Sequence, residues 1–146
     1  MITEDYVRFE TAKLLKEKGF PQEYDIYHSM VYNEEDYEDE YEVQRMVLET
    51  KPVKAGTLSS YPIGVPEPKC YCPTLQMAMK WLREMHHLSV EVYRTACGYI
   101  GCIVAIPSGT DIKFLEEEGD DLNSGTYTKW EYACEAAIKY CLENLI

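Results

Sequence analysis

A chain of 146 residues with a formal charge of −12 at neutral pH, 13 tyrosines and six cysteines has the length of a single domain, one that buries about two-thirds of its unfolded surface. The negative charge opposes electrostatic binding to nucleic acid or anionic lipid, and favours solubility or a basic protein partner. The opening MITEDYVRFE is polar and acidic where a secretory leader is basic and apolar, and no apolar run approaches the ~18 residues of a membrane span. The expected location is therefore the cytoplasm, with the cysteines reduced.

Taken in chain order, the first element is a helix. Thr3 is placed to cap it, Ile2 and Val7 to staple it, and Glu4 and Asp5 to favour its positive end. Ile2, Tyr6, Phe9 and Leu14 or Leu15 give an apolar face. Gly19 is suited to a left-handed stop, reinforced by Phe20-Pro21. Residues 23–33, EYDIYHSMVYN, are rich in tyrosine and β-branched side chains and read as a strand. Residues 41–49 read as a second strand, with a short helix over 44–48 as the alternative. Residues 51–73 hold five of the seven prolines and read as an extended, irregular connection, not a domain boundary.

The second half is more regular. In residues 73–87, PTLQMAMKWLREMHH, Pro73 stands at a helix start, and Leu75, Ala78, Met79, Leu82 and then Met85 or His86 keep the 3.6 period. Leu88, Val90 and Val92 alternate as in a strand. Cys97-Gly98 turns the chain into a second strand, with Ile100, Cys102, Val104 and Ile106 sharing one face, so an antiparallel hairpin follows. Pro107, Ser108 and Gly109 end it. Residues 111–125 read as an acidic loop anchored by Phe114 and Leu115. The last helix opens on a capping box, Thr128 and Glu131, with Tyr127 and Tyr132 as staple. Cys134, Ala137, Ile138, Cys141 and Leu145 form its buried stripe. The α-β-β-α-β-β-α order predicts one α+β domain over 1–146, with an antiparallel sheet of about four strands packed by two or three helices.

The residues that could carry chemistry have simpler scaffold readings. Cys70 and Cys72 are spaced more tightly than zinc-binding thiolates usually are, and Cys134 and Cys141 lie two turns apart on one helical stripe; small core residues fit both pairs. His86 and His87 would project about 100° apart on a helix, which suits the dipole at its C-terminus better than a shared metal. Cys97 or Cys102 paired with His28 is the one nucleophile arrangement left open, and nothing flags it. No phosphate loop, nucleophile elbow or zinc-protease helix occurs. No cofactor or metal is expected.

The acidic runs remain. Seven of the nine residues 34–42 are carboxylates, as are five of the six residues 116–121, and neither has calcium-loop spacing. A solvated loop is the ordinary reading of such a run. The sharper reading is a partner-binding segment of Glu34, Glu35, Asp36, Tyr37, Glu38, Asp39, Glu40 and Tyr41, with carboxylates and tyrosines set to occupy a basic groove as a phosphate track would.

The stretches PTLQMAMKWLREMHH and WEYACEAAIKYCLENLI resemble a family of small uncharacterised proteins from gut bacteria and their phages and mobile elements, and the pattern is similar to the phage ABA sandwich domain. The resemblance covers 73–92 and 128–146 and extends loosely to the first helix. It implies an α/β sandwich and a phage or mobile-element origin, and it assigns no catalytic residue. The expected role is a non-enzymatic accessory or interaction protein, with a DNA-mimic inhibitor of a restriction or defence nuclease as the alternative. A small enzyme is the least favoured reading.

Overall fold

The computed structural model describes residues 2–23, 29–33, 52–55, 68–116 and 126–146. The fold is α+β: the described residues form three helices and two three-stranded antiparallel sheets. They gather into two compact units, Met1–Thr74 and Leu75–Ile146. Among the described residues the expected antiparallel pairing and helix number hold, but the strands divide between two sheets instead of forming one of about four.

In the first unit, helix α1 spans Phe9–Glu17, later than the sequence suggests. Thr3 does not cap it. Tyr6 bridges to Thr74, and the Val7 amide donates to the Pro73 carbonyl at 3.1 Å. This long-range pairing keeps residues 6 and 7 extended and overrides the local cap. Ile2 is consequently exposed and does not staple Val7, which is buried. The other end stops as expected. Gly19 has φ +95°, its amide reaches the Lys16 carbonyl, and the Phe20 amide reaches the Leu15 carbonyl, completing a Schellman motif.

Strand β1 (Met30–Asn33) is the centre of the first sheet, between β2 (Val53–Lys54) and β3 (Pro68–Tyr71). Residues 51–73 are thus not wholly irregular: they supply both edges, where proline is tolerated because an edge needs only half its amides. Pro68 pairs with Asn33 across a bulge. Of the strand expected over 23–33, Met30–Asn33 forms, Glu23 and Ser29 do not join it, and residues 24–28 lie outside the described residues, as does the strand expected over 41–49. The core here is Val7, Phe9, Leu15, Val31, Tyr32, Cys70 and Cys72. The Tyr32 hydroxyl donates to the Val7 carbonyl, and the Phe9 ring meets Tyr32 edge-on at 5.4 Å.

In the second unit, α2 (Leu75–His86) leads into β4 (Leu88–Arg94), β5 (Tyr99–Ala105) and β6 (Asp111–Leu115), and α3 (Trp130–Asn144) closes the chain. Pro73 lies outside α2, its carbonyl already engaged by Val7. Leu75, Ala78, Met79 and Leu82 are buried as the period requires. Of the two candidates for the next position, Met85 is 65% exposed and His86 is half-buried. The hairpin β4–β5 forms in full register, from Leu88 opposite Ala105 to Arg94 opposite Tyr99.

Two expectations fail in this unit. Residues 111–115 are a strand, not part of an acidic loop: β6 pairs with β5 across a bulge between Ile103 and Val104, and the bulge hides its alternation. Helix α3 starts at Trp130, with Lys129 at its N-cap and no side-chain cap bond. Tyr127 and Tyr99 exchange both backbone hydrogen bonds at 2.8 Å, which holds the chain extended past Thr128 and dissolves the capping box; Tyr132 is left exposed. The predicted stripe is otherwise sound, since Cys134, Ala137, Ile138 and Cys141 are buried together with Ala133 and Leu142, and only Leu145 is less than fully covered.

Candidate functional site

The acidic segment Glu34, Glu35, Asp36, Tyr37, Glu38, Asp39, Glu40 and Tyr41 lies outside the described residues, as do His28 and residues 117–121. What the structure places is the cysteines, the paired histidines and a face of the second sheet.

Five of the six cysteines are buried, Cys97 is exposed, and no two are joined. Cys72 donates its thiol to the Val7 carbonyl at 3.4 Å, under the Tyr6–Thr74 bridge, and so acts as an anchor. In α3, burial pushes the Cys141 thiol up to about 12. Cys102 also titrates higher than an ordinary thiol, through its burial first and then through the Asp111 carboxylate that accepts its hydrogen bond at 3.6 Å, with Glu91 adding to the effect. A thiol facing two carboxylates is held protonated, the opposite of what a nucleophile needs. His86 lies edge-on to Trp81 at 4.6 Å. His87 is outside the helix, with φ +55°, and serves as its left-handed exit. Among the described residues, no group of three or more His, Cys, Asp or Glu side chains could hold a metal ion. No helix of the described residues is long and apolar enough to cross a membrane.

The second sheet has two unlike faces. On one, α3 lies very close: a Cβ built on Gly101 would sit 3.3 Å from the Ala133 carbonyl oxygen and 3.6 Å from the Ala137 Cβ. The register puts Leu88, Val90, Val92, Ile103, Lys113 and Leu115 on this same side. Ile100, Cys102 and Val104 do share a face, as their alternation predicts, but it is the one turned away from α3, and Ile106 lies beyond the end of β5 and is exposed.

That second face is a small grid set by the register. Tyr93 stands beside Ile100; Glu91, Cys102 and Phe114 form the next row; Ser89, Val104 and Asp111 form the third. Neighbours within a row are about 5 Å apart and successive rows about 7 Å. Tyr93 is 45% and Phe114 49% exposed, Ile100 and Val104 are half-buried, and Cys102 is buried between them. Glu91 is held in place by a 2.6 Å hydrogen bond from the Ser89 hydroxyl.

Charge is sorted between the two faces. The three strands contain two acids and two bases. Both acids, Glu91 and Asp111, belong to the grid. Both bases belong to the helix side, with Arg94 over the Tyr99 ring at 5.1 Å and Lys113 over the Tyr140 ring at 5.7 Å. Phe114 reads in the sequence as the anchor of a loop and Tyr93 carries no local signal of its own, so neither is legible there as a surface residue. The available signal was Gly101: a glycine inside a strand marks a close backbone approach, and so identifies which face the helix covers.

The fold and this face define an α+β protein with an exposed, apolar, acid-flanked sheet surface. No family model matches the chain, and neither does any curated protein or solved structure.

Proposed function

We propose that the protein is a non-enzymatic accessory or interaction protein, acting in the cytoplasm on a protein partner with a basic surface, and that it belongs to a phage or integrated mobile element. The observation that carries the reading is the grid on the second sheet, where Tyr93 and Phe114 present apolar area to solvent in a chain whose net charge is −12. Exposed aromatic residues gathered on one rigid face suit partner binding. The chemistry of the thiols supports the same reading, because Cys102 and Cys141 are both held in their unreactive form. Crosslinking in the native cell, across growth and induction conditions, should capture a defined protein at the tagged chain. Recovery of no partner under any condition sinks the proposal.

A second reading is kept for the carboxylate-dense segment 34–42, which is suited to a groove built for a phosphate backbone. In this case the chain inhibits a restriction or defence nuclease by imitating DNA. Neutralising Glu34, Glu35, Asp36, Glu38, Asp39 and Glu40 together should then abolish salt-sensitive inhibition. Inhibition that survives the substitutions excludes it.

A further inference from the structure

Resting on the interaction-protein reading, we infer that the grid face of the second sheet, centred on Tyr93, Ile100, Val104 and Phe114, is a docking surface for an amphipathic helix of a partner protein, with an apolar stripe flanked by lysine or arginine. Three features select this occupant. The surface is a sheet face, not an edge, and the layer that ordinarily completes a sheet face is a helix, as α3 does on the opposite side. Apolar side chains one turn apart on a helix are about 6 Å apart, close to the row spacing of the grid, so one stripe can lie along Ile100 and Val104 with Phe114 and Tyr93 on its flanks. The third feature is charge: Glu91 on β4 and Asp111 on β6 occupy opposite sides of the grid, while the strand bases Arg94 and Lys113 are held over rings on the other face. A helix with cations on both borders of its stripe meets an acid on each side and no like charge from the strands. The same sorting disfavours a second copy of this chain, which would bring acid against acid.

The test uses the intact protein and three synthetic helical peptides: one with a leucine stripe bordered by lysines, one with glutamates replacing the lysines, and one with the lysine peptide's composition scrambled. Amide chemical shifts report where each binds, and anisotropy titrations report how tightly. The lysine peptide should shift Tyr93, Ile100, Cys102, Val104 and Phe114, and bind at least tenfold more tightly than either control. The double variant Tyr93→Ala/Phe114→Ala should weaken it tenfold or more. The pair Glu91→Gln and Asp111→Asn, which keeps the size of both side chains and one acceptor oxygen in each, should weaken it severalfold and flatten its salt dependence. Unchanged circular dichroism establishes that the variants are folded. Equal binding of the scrambled or acidic peptide overturns the inference. So do shifts mapping elsewhere, no binding at millimolar peptide, or concentration-dependent self-association through these residues. A crosslinked cellular partner that remains bound to the Tyr93→Ala/Phe114→Ala variant leaves the general interaction reading intact while this surface assignment falls.

Discussion

Gly98 shows how one residue can be fixed by a partner far along the chain. It closes the β4–β5 turn, where its amide donates to the Thr95 hydroxyl at 3.2 Å and its carbonyl accepts the Thr95 amide at 2.7 Å. A Cβ there would lie 2.5 Å from the Thr126 hydroxyl oxygen and 2.6 Å from the Tyr127 carbonyl oxygen. The Thr126 Cβ lies within 2.9 Å as well, and the Tyr127 carbonyl is committed to the Tyr99 amide. Gly98→Ala should therefore push 126–127 off the sheet and cost about 1–3 kcal/mol, the usual toll of overpacking. A urea midpoint equal to that of the parent protein would show that this approach is not tight. The cysteines make a second prediction at the same scale. In the native state, a disulfide-exchange reagent should titrate one thiol per chain rapidly; Cys97→Ser should remove that phase, and guanidinium should release all six in the parent. Rapid reaction of a second thiol in the folded protein would contradict the burial of the other five.

At the scale of elements, α1 and α2 stop by the same device with different residues. Helix α1 stops on Gly19 at φ +95°, with open space where a Cβ would go, and α2 stops on His87 at φ +55°. Glycine adopts this region freely, while a side chain pays for it. Gly19→Ala should lose about 1 kcal/mol. At His87, substitution by glycine should be neutral or gain up to about 1 kcal/mol, whereas His87→Val, β-branched and stiff, should lose about 1–2 kcal/mol. Thermal melts of the three variants order these effects; a valine at 87 as stable as glycine would refute the strain. This also explains what was legible. The Gly19 stop, the stripes of α2 and α3 and the β4–β5 hairpin were readable because neighbours in sequence determine them. The starts of α1 and α3 were not, since Thr3 and Thr128 carry sound local signals that lose to the Tyr6–Thr74 and Tyr99–Tyr127 bridges. Strand β6 was obscured by its bulge and by charges at alternate positions. The docking face was hidden because an alternating strand reveals that two faces differ, but only the small residue at 101 reveals which one meets a helix.

For the whole molecule, the −12 charge acts at high pH together with two buried thiols and two half-buried tyrosines. Cys141, Cys102, Tyr6 and Tyr71 all titrate higher in the folded protein than usual, each mainly because burial disfavours the anion. The unfolded chain therefore releases these protons first. Their contribution to stability is complete below their ordinary values and is lost as pH rises through the folded ones. For Cys141 the window runs from about 9 up to about 12. Its slope has a ceiling of about 1.4 kcal/mol per pH unit. Self-repulsion of an increasingly negative chain adds to the loss, but it differs in kind because salt screens exposed charge and does not rehydrate a buried thiol. Urea midpoints should accordingly be flat near pH 8 as far as these groups are concerned, and fall between pH 9 and 10.5. Adding salt should lift the whole profile while leaving much of the alkaline slope. Cys141→Ala should be somewhat less stable at pH 8, from the small cavity left in α3, yet lose less between pH 9 and 10.5 than the parent. If salt removes the slope entirely, or Cys141→Ala leaves it unchanged, the alkaline loss belongs to surface charge and not to the core of the second unit.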